Sequence, residues 1–221
     1  MKTVQRHDNW KDFIWALIRV LYYFLGLPSL ICLAIASIII YSNHGTSEPG
    51  SSLGYFFLLV WASIIIPLAY RRFTLIARRR KLNKMIALLT SEERFNPQKQ
   101  HQVFNVAQGK YLGIDSKRGT ILYIHMVKKG VIDVMGLTGN NWTDREVEGS
   151  AFRLYTKNPD VPVLSVNAHQ IITKELFNML GAMDHNVYSE PFPQEPWPLH
   201  VARQSKFVEF EHNVVVPQAV A

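Results

Sequence analysis

VLYYFLGLPSLICLAIASIIIYS, residues 20–42, carries no Asp, Glu, Lys or Arg. The same holds for PGSSLGYFFLLVWASIIIPLAY at 49–70, and RRFTLIARRRKLNK at 71–84 then adds seven basic residues with no acid. A helix needs about 20 apolar residues to cross a bilayer core, so each run is long enough. The connecting segment 43–52 has no Lys or Arg and a single acid, Glu48. Such asymmetry predicts a two-helix transmembrane hairpin with both chain ends in the cytoplasm. Working outward, 1–19 reads as an interfacial N-terminal segment and 20–42 as the first span. Residues 43–52 are a periplasmic loop, 53–70 the second span and 71–94 a basic juxtamembrane helix. The residues that fix topology and meet anionic lipid headgroups are Arg71, Arg72, Arg78, Arg79, Arg80, Lys81 and Lys84.

The formal charge of +7 sits almost wholly in that collar, since residues 85–221 hold 13 basic and 14 acidic side chains. A basic stripe for nucleic acid is therefore missing from the polar part, and no nucleic-acid partner is expected. Cys32 is the one cysteine, which rules out a disulfide or a CxxC site within one chain. Ala34-Ile-Ala36 resembles a signal-peptide cleavage site, but Ser37-Ile-Ile-Ile40 carries the apolar run past it, as in a retained anchor. Trp10, Trp15, Tyr22, Tyr23, Tyr41, Tyr55 and Tyr70 fit aromatic belts at the two interfaces. Gly26, Pro28 and Pro67 are candidate kinks. Neither span has an ionisable residue at its centre, where ion or proton pathways need one, so the hairpin reads as an anchor and not a transporter. Beyond Tyr70 the helical period continues, as a stalk beside the membrane or as a helix for a partner or a homo-oligomer.

From about Phe95 the period changes to two. Strands are predicted at His101–Gln108, Lys110–Asp115, Thr120–Val127, Val131–Met135, Trp142–Val147, Ala151–Thr156 and Val163–Val166. Gly119 and Gly130 close tight turns, and Gly136–Asn141 reads as a loop. Ala168–Gly181 carries an apolar stripe at helical spacing, with Gly181 as its stop. The expectation for 95–188 is a cytoplasmic α+β domain of antiparallel strands capped by a helix. In order and spacing it resembles a pleckstrin-homology-like domain. Lys110, Lys117 and Arg118 are too sparse at the first hairpins to carry phosphoinositide binding across. Leu122, Ile124, Leu154, Leu164, Phe177 and Leu180 are the predicted core. The tail 189–221 is proline-rich (Pro191, Pro193, Pro196, Pro198) and reads as polyproline II, pinned by Phe192 and Trp197. Phe207–Phe210 and Val214–Val216 suggest a short added strand.

Catalytic and metal motifs are missing. The histidines are scattered with no HExxH, and there is no phosphate loop and no GxSxG. Asp144, Glu146 and Glu148 alternate along a strand as a solvated face does. Asp184-His185 follow the predicted helix stop, where capping or solvent contact is the plain reading. No catalytic, cofactor-binding or metal residue is assigned, no cofactor is implied and no enzyme is expected.

The opening Met1-Lys-Thr-Val-Gln-Arg-His-Asp-Asn-Trp10, the two-span hairpin and the collar Arg71–Lys84 together resemble the surface exclusion proteins of IncI-type conjugative plasmids. The resemblance covers the plan end to end and rests on no diagnostic motif. It implies an inner-membrane protein that stops a related plasmid from being transferred in again. The implied partner is an integral membrane component of the donor's transfer apparatus, and no active-site residue comes with the resemblance. The alternative from another class is a membrane-tethered cytoplasmic adaptor whose sheet domain binds a peptide or a lipid headgroup.

Overall fold

Prolines shape the N-terminal helices. In the computed structural model, residues 10–44, 52–185 and 194–219 are described. They divide into two compact units, with the boundary between Ile76 and Ala77. Residues 1–9 and 45–51, the latter most of the expected periplasmic loop, lie outside the described residues, as do Pro191 and Phe192.

In the first unit, α1 (Trp10–Leu21) passes through a π-helical turn, Tyr22–Gly26, into α2 (Leu27–His44). The helix that leads in thus merges with the first apolar run, as expected. Pro28 has no N–H for the carbonyl four residues back, and just ahead of it the ladder shifts: the Leu27 N–H donates to the Tyr22 carbonyl. The third helix, α3 (Ser52–Leu89), has Pro67 inside it. Pro67 cannot donate to the Ser63 carbonyl, and the Tyr22 hydroxyl donates to that oxygen instead, at 2.8 Å. Ala34, Ser37 and Val60 are buried, whereas most other apolar side chains of this unit face outward. Among the described residues two helical runs are long and apolar enough to cross a membrane, Leu17–Ile40 and Gly54–Leu89.

The second unit begins with the last turns of α3. Seven strands follow: β1 (Gln102–Asn105), β2 (Lys110–Asp115), β3 (Thr120–Lys128), β4 (Val131–Thr138), β5 (Trp142–Glu148), β6 (Ala151–Thr156) and β7 (Val163–Asn167). They form an antiparallel sheet in the order β1-β2-β3-β4 and a second in the order β5-β6-β7. Helices α4 (Gln170–His185) and α5 (Trp197–His212) complete the unit. The predicted strands and turns are largely in place, and Gly119 and Gly130 take φ of 69° and 83°.

The four-stranded sheet is buried on both faces, and alternation along β3 sorts the side chains. Ile121 and Tyr123 join a core with Phe152, Leu154, Leu164, Leu176 and Leu180. Leu122 and Ile124 join a second core with Phe95, Trp197, Val201 and Val208. That is why Ile121–Ile124 reads as a continuous apolar run. Of the predicted core, Phe177 alone is only half-buried.

Five expectations are corrected. The proline-rich tail is not polyproline II from residue 194 on: Pro196 caps α5, Pro198 lies in its first turn, where no intrahelical donor is needed, and Trp197 is 0% exposed. Phe207–Phe210 is therefore helical, not a strand, while Val215 does form a parallel bridge to Val131. Gly136 continues β4 instead of opening a loop, because a Cβ there would lie 2.6 Å from Val201 Cγ2, so only glycine lets α5 approach. Gly181 does not stop α4, which runs to His185, so Asp184 and His185 sit in its last turn. Finally, α3 is not a free stalk past Ala77: Leu82, Met85 and Leu89, spaced i, i+3, i+7, are buried in the second core.

Candidate functional site

The charged clusters of the folded unit are the first candidates for chemistry. Asp115 is 2% exposed, at the head of the β2–β3 turn. It accepts from the Asn96, Lys117 and Arg118 backbone N–H groups and from the Arg118 guanidinium, at 3.0 to 3.4 Å. Its lone pairs are occupied in shaping the turn, beside a cleft of about 280 Å³. Glu195 joins Arg94, His200 and Arg203 at 3.2, 3.1 and 2.7 Å. Burial raises its carboxyl, but the His200 hydrogen bond and the charges of His200, Arg203 and Arg94 outweigh that and hold it below the usual carboxylate range. This network clamps the start of α5 to the segment that follows α3.

The alternating carboxylates of β5 behave as a solvated face. Glu146 accepts from Tyr155 at 2.8 Å and pairs with Arg153 at 3.3 Å, and these bonds lower its pKa. Glu148 holds the other end of Arg153. Asp184 lies 3.7 Å from Arg145, whose guanidinium covers the Phe177 and Trp142 rings. Lys110 donates to Ser165 Oγ at 2.8 Å, and burial lowers its pKa. Each group is held by a structural partner, and none pairs a nucleophile with an oriented base. Among the described residues no three His, Cys, Asp or Glu converge as they would around a metal ion.

The collar looks different. Within the first unit, the Arg71 guanidinium lies 5.2 Å over the Tyr23 ring. In the second, Arg78 donates to the Ala107 carbonyl at 3.0 Å. Arg72, Arg79, Arg80 and Lys84 are exposed and Lys81 is half-buried. Helical period sets Leu82, Met85 and Leu89 on the core side and sends Arg80 and Lys84 away from it.

The C-terminal helix supplies what sequence reading missed. Its inner face is Trp197, Val201, Ser205 and Val208. On the outer side Leu199, Phe207 and Phe210 are 48%, 60% and 91% exposed, interleaved with Arg203 and Lys206. The i, i+4, i+7, i+11 spacing of Leu199, Arg203, Lys206 and Phe210 was the available signal, masked by the prolines before it. His212 ends the helix, its Nε2 buried with no hydrogen-bond partner. Burial lowers its pKa, and Lys81 and Lys84 lower it further against the opposing pull of Glu211.

A family model described as exclusion-determining protein matches residues 1–220. No curated protein and no solved structure matches the chain.

Proposed function

We propose, from the premise that this chain belongs to the exclusion-determining protein family, that it sits in the bacterial inner membrane of a plasmid-bearing cell and blocks redundant transfer of a related conjugative plasmid. The family match over almost the whole length carries this reading. The two helical runs long and apolar enough to span a membrane support membrane association. In this proposal residues 20–42 and 53–70 cross the bilayer and both termini are cytoplasmic. The collar Arg71, Arg72, Arg78, Arg79, Arg80, Lys81 and Lys84 meets anionic headgroups and fixes that orientation. Exclusion acts by protein–protein recognition of an integral membrane component of the donor's transfer apparatus, of the IncI type. The four-plus-three strand order capped by α4 supports a pleckstrin-homology-like plan for the cytoplasmic domain.

A family defined by exclusion is not a catalytic one, and the charged clusters of the folded unit serve turns and helix ends. Producing the chain alone in recipient cells tests the proposal by mating. Transfer of an IncI-type plasmid falls while that of an unrelated plasmid does not, and the double variant Asp184→Asn, His185→Gln excludes as well as the parent. Loss of exclusion in that variant, with folding and membrane level unchanged, argues for chemistry at α4 and against the proposal.

A further inference from the structure

Helix α5 has two faces of opposite character. Trp197, Val201, Ser205 and Val208 recur at i, i+4, i+8 and i+11 and are buried. Gly136 lets that face sit close on β4, so what the helix turns to solvent is fixed as well. On the opposite face Leu199, Phe207 and Phe210 are exposed, Phe210 to 91%. An open hollow of about 620 Å³ runs along Arg203, Gln204, Lys206, Phe207 and Phe210. A single exposed apolar side chain is ordinary. Two phenylalanines and a leucine on one stripe leave a contiguous apolar area that a covering would take out of water.

Charge selects the covering. Arg203 and Lys206 stand exposed within the stripe, and no acid shares it. Glu209 accepts the Val216 N–H at 2.7 Å, and Glu195 is taken up by Arg94, His200 and Arg203 at the helix start. Glu211, one position past Phe210, turns about 100° away from it. The stripe is thus cationic, although residues 85–221 together hold 13 basic and 14 acidic side chains. A second copy is a poor cover for it. An antiparallel pairing that sets Leu199 against Phe210 also sets Arg203 against Lys206, and a parallel one sets each cation against itself. Aromatic anchors with arginine beside them, met by opposite charge, are the composition of a protein–protein contact.

We propose that the outer face of α5 is the docking surface for an amphipathic helix of a partner protein. Apolar side chains of that helix cover Leu199, Phe207 and Phe210, and its Asp or Glu residues stand opposite Arg203 and Lys206. The inference rests on the reading that exclusion acts by protein–protein recognition, and it names the surface that performs it. Burial of the two rings supplies affinity. The acids at the rim govern choice of partner and rate of encounter.

The test is made by mating, with recipient cells producing the full chain as the parent, Phe210→Asp, Lys206→Glu or Ile171→Asp. Ile171, on α4, is a matched exposed apolar side chain. Membrane level and the melting transition of each chain are measured beside exclusion. Phe210→Asp and Lys206→Glu are expected to weaken exclusion of an IncI-type plasmid by about tenfold or more. Ile171→Asp is expected to exclude as the parent does, with level and melting unchanged in all three. Donor plasmids that enter parent recipients despite exclusion are then selected. They are expected to carry Asp or Glu changed to Lys in a membrane protein of the transfer apparatus, and Lys206→Glu recipients are expected to exclude them again. If Phe210→Asp and Lys206→Glu both exclude as the parent does, the docking face is overturned and exclusion stands. A loss that no donor substitution reverses puts a lipid surface or a second copy on α5 and also overturns the proposal. A parent chain that excludes nothing overturns the exclusion reading and the inference with it.

Discussion

Gly136 shows how one absent Cβ decides whether the C-terminal helix can dock. Its backbone lies under Val201 and the Trp197 indole, whose Nε1 donates to the Ile121 carbonyl at 2.9 Å. Gly136→Ala is expected to push α5 off the sheet at a cost of about 1–3 kcal/mol, as overpacking does elsewhere. Gly139→Ala, with nothing within 4 Å, is the matched neutral substitution. Denaturant midpoints of the two variants check this. In sequence a glycine marks a break, and Gly136 and Gly181 read that way. Both glycines instead admit a close neighbour, Val201 for the first and the Arg145 guanidinium for the second. Such a requirement comes from a residue distant in the chain, so no local pattern shows it.

His212 gives the same scale a pH dependence. Its folded pKa is lowered by burial first, then by Lys81 and Lys84, with Glu211 opposing. Unfolded, it titrates near the ordinary histidine value of about 6.5. Above that pH both states are neutral and nothing is lost. As pH falls through about 6.5, the unfolded chain takes up a proton that the folded chain resists, so stability declines until the lower folded pKa is reached. Melting of the full chain between pH 7.5 and 5, in roughly the window about that pKa, is expected to show this decline, and His212→Gln is expected to flatten it.

Among elements, the strands were the most legible because turns and period-two patterns are local. The run Ile121–Ile124 identified a strand but not its two-sided burial, since a continuous apolar stretch does not say what covers each face. The covers are the three-stranded sheet with α4 on one side, and α3 with α5 on the other. Residues 71–94 read as a basic juxtamembrane helix; α3 ends at Leu89, and its Leu82, Met85 and Leu89 are core residues of the domain it leads into. A fragment beginning at residue 95 lacks them. We therefore expect residues 77–221 to melt cooperatively with a dispersed amide spectrum, and residues 95–221 to lose several kcal/mol, about 2–5 for each large buried side chain removed. Equal stability of the two fragments would show that the α3 contacts contribute little. Helix α5 escaped sequence reading because Pro196 and Pro198 suggest an extended tail, whereas at a helix start the missing N–H costs nothing.

For the whole molecule, sequence carried more than the structure adds. The uncharged runs and the collar read as a membrane hairpin, and the overall plan resembles the exclusion proteins to whose family the chain belongs. The exposed outer face of α5 was not legible, because exposed aromatic residues become distinguishable only once the core is known. Phe207 and Phe210 are unremarkable in a list of apolar residues and conspicuous on the outer side of α5. The central claim is that a membrane-anchored chain alone excludes a related plasmid. Its most direct measurement is transfer frequency into recipients producing the full chain, compared with recipients producing equal amounts of residues 77–221 and with empty recipients. The account predicts a many-fold fall for an IncI-type plasmid with the full chain, none with the unanchored fragment, and none for an unrelated plasmid. Unaltered transfer of the IncI-type plasmid into cells whose membranes demonstrably hold the full chain would contradict it.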